Sequence, residues 1–189
     1  MNEADVLGLL AEHGGLLKGH FLLSSGKHSD TYVEKARLFE HPEVVSRLAT
    51  EIASWYEGVE AVVSPAVGAI PLGFAVAQQA SARFLYAERD GGELVFRRGF
   101  RLDPGERTLV VEDVVTTGGS AAEVYDLVRA SGAEPLGVAA VVDRSAGALR
   151  FPFRALARLE FAVHDPERCP LCTRGVPLQS PGSRHVRSR

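Results

Sequence analysis

Apolar positions recur along the chain in two rhythms. A helical spacing appears first at Val6, Leu9 and Leu10, where Asn2 can cap a helix running to about Glu12 and Gly14-Gly15 ends it. It returns after His41-Pro42, from about Glu43 to Tyr56, with Val44, Leu48, Ile52 and Trp55 near one face. Two more helical stretches follow, Leu72 to Ala80 and Ala121 to Ser131, the second facing Val124, Leu127 and Val128 inward and closing on Gly132. The other rhythm is short and β-rich: Ala61-Val62-Val63, Arg83 to Ala87, Thr108 to Val111 and Leu136 to Val142. The last is nearly continuous in apolar residues, as in strands buried on both faces of a parallel sheet. Leu156 to Val163 reads as an edge strand, and Gly19 to Lys35 as a hairpin turning through Ser-Ser-Gly-Lys-His-Ser. Alternating strands and helices predict an α/β fold, a mostly parallel sheet flanked by helices with its loops gathered at the carboxyl edge.

The densest chemistry lies in Thr108 to Ser120, TLVVEDVVTTGGS, which reads as a strand, an acidic step, a Gly-rich turn and a helix start. Amides of such a turn and of a helix's first turn converge on one spot and favour a phosphate, with Thr and Ser hydroxyls as further donors. Glu112 and Asp113 cannot ligate phosphate, so they need another partner: vicinal sugar hydroxyls, or a divalent cation that itself carries phosphate. An ordinary βα turn with a capped helix would explain the glycines and serine, but two carboxylates at the end of an apolar run without a partner would be costly. Other donors lie elsewhere. Lys27, His28 and neighbouring hydroxyls could meet an anion, as could a second strand–turn–helix at Ser64 to Pro71. Glu88 to Arg107 is a Gly-rich hairpin carrying Arg89, Arg97, Arg98, Arg101 and Arg107, by default a solvated charged hairpin and otherwise a mobile cationic lid. Arg144 follows the apolar run ending at Asp143. There its planar fork suits an anionic ligand, unless it merely pairs with Asp143.

Every position from Val110 to Ser120 fits the motif that binds 5-phosphoribosyl diphosphate (PRPP) in type I phosphoribosyltransferases, and the chain resembles that family. Phe21, Leu23, Ser25, Gly26, Ser29 and Tyr32 further resemble the orotate phosphoribosyltransferase branch. The resemblance implies one phosphoribosyltransferase domain over 1–189, with a core at about 42–163 and a small hood from about 1–35 and the C-terminal segment. It implies PRPP contacts at Glu112, Asp113, Val114, Val115, Thr116, Thr117, Gly118, Gly119 and Ser120, at Gly68 and at Arg89, with Asp113 and Arg89 as the catalytic pair. It implies orotate contacts at Thr116, Arg144 and Lys27, and Mg²⁺ held mainly by PRPP near Glu112 and Asp113 without direct protein ligands. The expected partners are PRPP, orotate and a second copy in a homodimer. The chain departs from the family at Ser24, where many members carry Lys, at Ser64 for the first Gly of the pyrophosphate loop, at Gly68 for a frequent Lys, and in a lid without Lys or His. A related enzyme acting on uracil or a purine base, or a PRPP-sensing regulator without turnover, stays open at this point.

Composition changes this picture little. With 46% hydrophobic and 24% charged residues and a net charge of −3, the 189-residue chain reads as an ordinary globular protein with no basic bias toward nucleic acid. No apolar run approaches a membrane span, and Met1 to Leu10 lacks the basic start of a secretory signal, so a cytoplasmic, reduced protein is expected. The two cysteines, Cys169 and Cys172, form a CPLC step that is half of a tetrahedral zinc set, with His164 or His185 as candidate third ligands.

Overall fold

The computed structural model describes residues 1–23 and 25–181. In chain order its elements are α1 (Glu3–Glu12), β1 (Leu16–Leu22), β2 (His28–Val33), α2 (Ala36–Phe39), α3 (Pro42–Ala53), β3 (Ala61–Pro65), α4 (Ile70–Ala80), β4 (Arg83–Asp90), β5 (Glu93–Phe96), β6 (Arg107–Val115), α5 (Gly119–Ala130), β7 (Glu134–Asp143), β8 (Phe153–Arg158), β9 (Val163–His164) and α6 (Pro170–Thr173), with a 3₁₀ turn at Pro166–Arg168. They fall into two compact units: Met1–Gly8 with Phe39–Leu159, and Leu9–Leu38 with the described residues from Glu160 onward.

The first unit holds a six-stranded sheet ordered β5-β4-β3-β6-β7-β8. All neighbours run parallel except β5, which folds back on β4 through Gly91 and Gly92, both at positive φ. β3 is buried at every position, as an apolar run between two helical layers requires. Each helix buries one stripe: Val44, Val45, Leu48, Ala49 and Ile52 on α3, and Ala121, Ala122, Val124 and Val128 on α5. Leu48 and Ile52 are wholly enclosed, and burial of such side chains contributes roughly 1.5–3 kcal/mol each. Helix α3 stops at Ala53, so Trp55 lies beyond it, half-buried under the Arg154 guanidinium 4.3 Å from its ring centre. Asn2 caps α1 as expected: its Oδ1 accepts the Asp5 N–H and Asp5 Oδ2 accepts the Asn2 N–H, both at 2.9 Å.

Strand order reverses between β3 and β6. The crossovers β3–α4–β4 and β6–α5–β7 depart in opposite directions from that point, which leaves a crevice beyond the carboxyl ends of β3 and β6.

The second unit is a three-stranded antiparallel sheet, β1-β2-β9. Its hairpin turns through Gly26 at φ +79°, with Leu23 N–H donating to Lys27 O. Ser24 lies outside the described residues.

Two expectations need correction. Leu156 to Val163 is not one strand: β8 ends at Arg158, and Val163–His164 pairs instead with Ser29 and His28 of β2. The acids Glu112 and Asp113 do not end their strand either. Val114 and Val115 are β-branched and continue the pairing against Val142 and Asp143 of β7.

Candidate active site

The site is built on three adjacent strand ends. On β6, Glu112 and Asp113 are 9% and 4% exposed, so neither carboxylate faces open solvent. Glu112 Oε1 accepts the Asp113 N–H at 3.1 Å and Asp113 Oδ1 accepts the Val114 N–H at 2.6 Å, which fixes both side chains against their own backbone. The following turn exposes Thr116 and Thr117, and Thr117 Oγ1 accepts the Gly119 N–H at 3.4 Å. Gly118 is the N-cap of α5 at φ +75°, and Ala122 N–H closes the first helical turn on Gly118 O at 2.8 Å. A Cβ at Gly118 would lie 2.7 Å from Leu149 Cδ2 and 3.5 Å from Phe151 Cζ, so both its dihedral and its surroundings call for glycine. Amides of a helix's first turn have no intrahelical acceptor, and here they stand beside exposed hydroxyls, a geometry that can accept an anion.

On the β3 side, Ala66 N–H donates to Ala87 O; Val67 is 78% exposed and Gly68 lies on the surface. Ser64 Oγ is buried and has no hydrogen-bond partner among the described residues. On β7, Arg144 N–H donates to Val115 O at 2.8 Å, which ties the end of this strand to the end of β6. Asp143 Oδ1 accepts the Ser145 N–H at 2.7 Å, and its Oδ2 lies 3.9 Å from Arg158 Nη1. The structure thus brings Gly68, Glu112 through Ser120, and Arg144 to neighbouring ends of one sheet.

The hairpin arginines are arranged differently from a free cationic loop. Arg89 lies within β4, and its fork meets both Glu123 carboxylate oxygens, at 2.6 and 3.0 Å, and Gly92 O. Arg98 meets Glu88 in the same way, which holds the Glu88 carboxyl below its ordinary range and pushes the Arg98 guanidinium up. Arg107 donates to Glu57 O. The hairpin itself is closed by the antiparallel β4–β5 pairing, with Arg98–Glu88 across it, while Arg89 reaches out of it to Glu123 on α5.

Lys27 belongs to the second unit, in an exposed salt bridge to Asp165 at 3.4 Å. His28 does not face an anion. It is buried, and burial together with neighbouring His20 lowers its pKa. Both histidines stand against Cys169 and Cys172, and burial beside Cys169 raises the Cys172 thiol. His164 pairs in β9 outside this group, and His185 lies outside the described residues. No ligand spacing in the sequence around His20 marks it as a member of this group.

Two cavities are found among the described residues. One of about 380 Å³ opens at the amino edge of β3, lined by Tyr56, Gly58, Val59 and Gln79 among others, and one of about 180 Å³ lies along β8.

Residues 36–153 match the family model described as "Phosphoribosyl transferase domain". The orotate phosphoribosyltransferase of Caldanaerobacter subterraneus subsp. tengcongensis is 46% identical over 190 residues, covering 98% of this chain and 100% of that protein. The orotate phosphoribosyltransferase of Thermotoga maritima is 48% identical over 183 residues, covering 95% and 98%. The crystal structure of orotate phosphoribosyltransferase from Aeropyrum pernix superposes with a TM-score of 0.70 at 27% identity, covering 82% of this chain and 93% of that one.

Proposed function

The chain belongs to the phosphoribosyl transferase family, in its orotate phosphoribosyltransferase branch, and on that premise we propose that it transfers the 5-phosphoribosyl group from PRPP to orotate, yielding orotidine 5'-phosphate and pyrophosphate in pyrimidine biosynthesis. The observation that carries this reading is the buried pair Glu112-Asp113 placed directly before an exposed, glycine-capped helix start at the sheet's switch point.

The 5'-phosphate takes the amides and hydroxyls of Thr116 to Ser120, where the helix dipole also favours it. The ribose hydroxyls take Glu112 and Asp113, which can only accept hydrogen bonds when ionised. Gly68 and its loop take the pyrophosphate, and Arg144 with Thr116 takes the base. An orotate ring nitrogen bonds to the anomeric carbon as the bond from that carbon to the pyrophosphate oxygen breaks, with inversion, and the ring N–H proton passes to the departing pyrophosphate or to solvent. Charge builds on the departing pyrophosphate, so stabilising it and holding the reactants in line contribute most of the catalysis. Arg89 meets that charge by leaving Glu123, an exposed pair worth about 1 kcal/mol or less. The carboxylates of Glu112 and Asp113 are hard oxygen donors, the chemistry that Mg²⁺ accepts, so PRPP-bound Mg²⁺ would rest beside them. Bound there, the ion supplies neutralisation of the pyrophosphate oxygens.

The working form is a homodimer in the cytoplasm. Phe74, 58% exposed, stands edge-on to Phe84 in a row continued by Tyr86 and Phe100, an apolar strip that suits a second copy.

The test is a spectrophotometric assay with PRPP, Mg²⁺ and orotate, uracil, adenine or hypoxanthine in separate reactions. Orotate alone is consumed. Turnover of another base without orotate overturns the substrate assignment, and turnover of none overturns the enzyme.

A further inference from the structure

We propose that His20, His28, Cys169 and Cys172 bind one structural zinc ion, which fastens the C-terminal segment to the β1–β2 hairpin. The four ligand atoms lie within 4.8 Å of one another. His20 Nε2 is 2.9 Å from His28 Nδ1, 3.5 Å from Cys169 Sγ and 3.7 Å from Cys172 Sγ, and Cys172 Sγ is 3.3 Å from His28 Nδ1. A tetrahedral zinc with usual bond lengths separates its ligands by about 3.3 Å for N and N, about 3.6 Å for N and S, and about 3.8 Å for S and S. These four spacings lie within roughly half an ångström of those edges, and the two remaining pairs, Cys169 with His28 and with Cys172, are bounded at 4.8 Å, a gap that closing on the ion would shorten.

The histidine orientation fits as well. His20 Nδ1 lies 2.7 Å from Val176 O, and a carbonyl only accepts, so Nδ1 carries the proton and Nε2 turns its lone pair to the centre. Such a backbone acceptor behind a histidine is the usual outer support of a metal ligand. Cys169 is the N-cap of α6 and Cys172 lies in its turn, so the CPLC step aims both sulfurs to one side. His20, His28 and Cys169 are buried, and no carboxylate belongs to the group. Two imidazoles and two thiols make a complete, closed set of soft and borderline donors, which suits a structural zinc rather than a catalytic one with an open position.

The ligands connect parts of the chain that otherwise share few ties. The segment after Glu160 reaches the hairpin through two β2–β9 pairs, Ser29 Oγ to Ala162 O, His20 Nδ1 to Val176 O, the exposed Lys27–Asp165 bridge and two backbone bonds at Gln179. A metal joining His20 to Cys169, 149 positions apart, adds the bond that keeps this long loop closed.

The full-length protein, purified in reducing buffer without added metal, is assayed for zinc by mass spectrometry. One zinc per chain is expected, and none in Cys169→Ser/Cys172→Ser. To separate loss of metal from loss of fold, the wild type is also stripped and reloaded with Co²⁺. The proposal expects tetrahedral d–d bands with a thiolate charge-transfer band, absent in the single Cys172→Ser variant. It also expects proteolysis after Glu160 to quicken at least tenfold on stripping and to recover when zinc is returned. Metal-free wild type that takes up neither zinc nor Co²⁺, a Cys169–Cys172 disulfide under reducing conditions, or equal zinc content in the variants overturns it. Every readout is independent of phosphoribosyl transfer.

Discussion

Replacing Gly118 by alanine probes the turn on which phosphate binding rests. The new side chain meets two penalties. Its backbone sits at φ +75°, where an L-residue costs roughly 1–2 kcal/mol. Its Cβ falls 2.7 Å from Leu149 Cδ2 with Phe151 behind at 3.5 Å, and overpacking of this kind costs about 1–3 kcal/mol. Leu149 is only half-buried and can swing away, which places the packing cost toward the low end. Together they give a loss of about 2–4 kcal/mol, a drop in Tm on the order of 10 °C for a chain of this size. The neighbouring Gly119→Ala is the control. It starts α5 with only Thr117 Oγ1 nearby, at 3.6 Å, and gains up to about 1 kcal/mol of helix propensity. Urea unfolding of both variants, followed by circular dichroism, decides the matter. If Gly118→Ala stays within about 0.5 kcal/mol of wild type, the scatter expected of an ordinary surface substitution, the argument from dihedral and contact fails.

Other outcomes follow from the same geometry. Ser64→Ala removes a buried hydroxyl without a described partner and should stabilise by about 1 kcal/mol. Gly73→Ala drives a Cβ to 2.0 Å from Ser64 Oγ and should cost about 2 kcal/mol or more, less in the Ser64→Ala background, as a thermal double-mutant cycle would register. Arg89→Ala should lower kcat at least tenfold, whereas Glu123→Ala, which frees Arg89, should leave kcat undiminished in steady-state assays. The Glu88 carboxyl is depressed by Arg98, so this pair's contribution is present above the ordinary glutamate range and lost as pH falls through the lowered value. Acid titration of Tm should show a limb that Arg98→Ala flattens and added salt weakens.

Local chemistry made much of this legible in the sequence. The Asn2 cap, the glycine after α5, the buried run of β7 and the whole turn from Glu112 to Ser120 are contiguous, and contiguous signals survive folding. Strand limits were less legible. Acids usually break strands, and pairing with β7 carries β6 past them to Val115. Leu156 to Val163 looks uniform, yet its two ends pair with different sheets, a choice made by distant partners. Arg89 gave no sign of its grip on Glu123, because the two are 34 positions apart. The cysteine–histidine group was half visible: CPLC has ligand spacing, but His20 and His28 reach it only because a hairpin and a returning C-terminal segment meet.

The most direct test of the central claim, a sugar phosphate held by the β6–α5 turn and its buried acids, is calorimetric titration of PRPP with Mg²⁺ into wild type and Asp113→Asn. The near-isosteric change keeps the side chain's shape and the acceptor for the Val114 N–H while removing its charge. The account predicts at least tenfold weaker binding, about 1.4 kcal/mol, with urea stability little changed. Equal dissociation constants for the two proteins would contradict it.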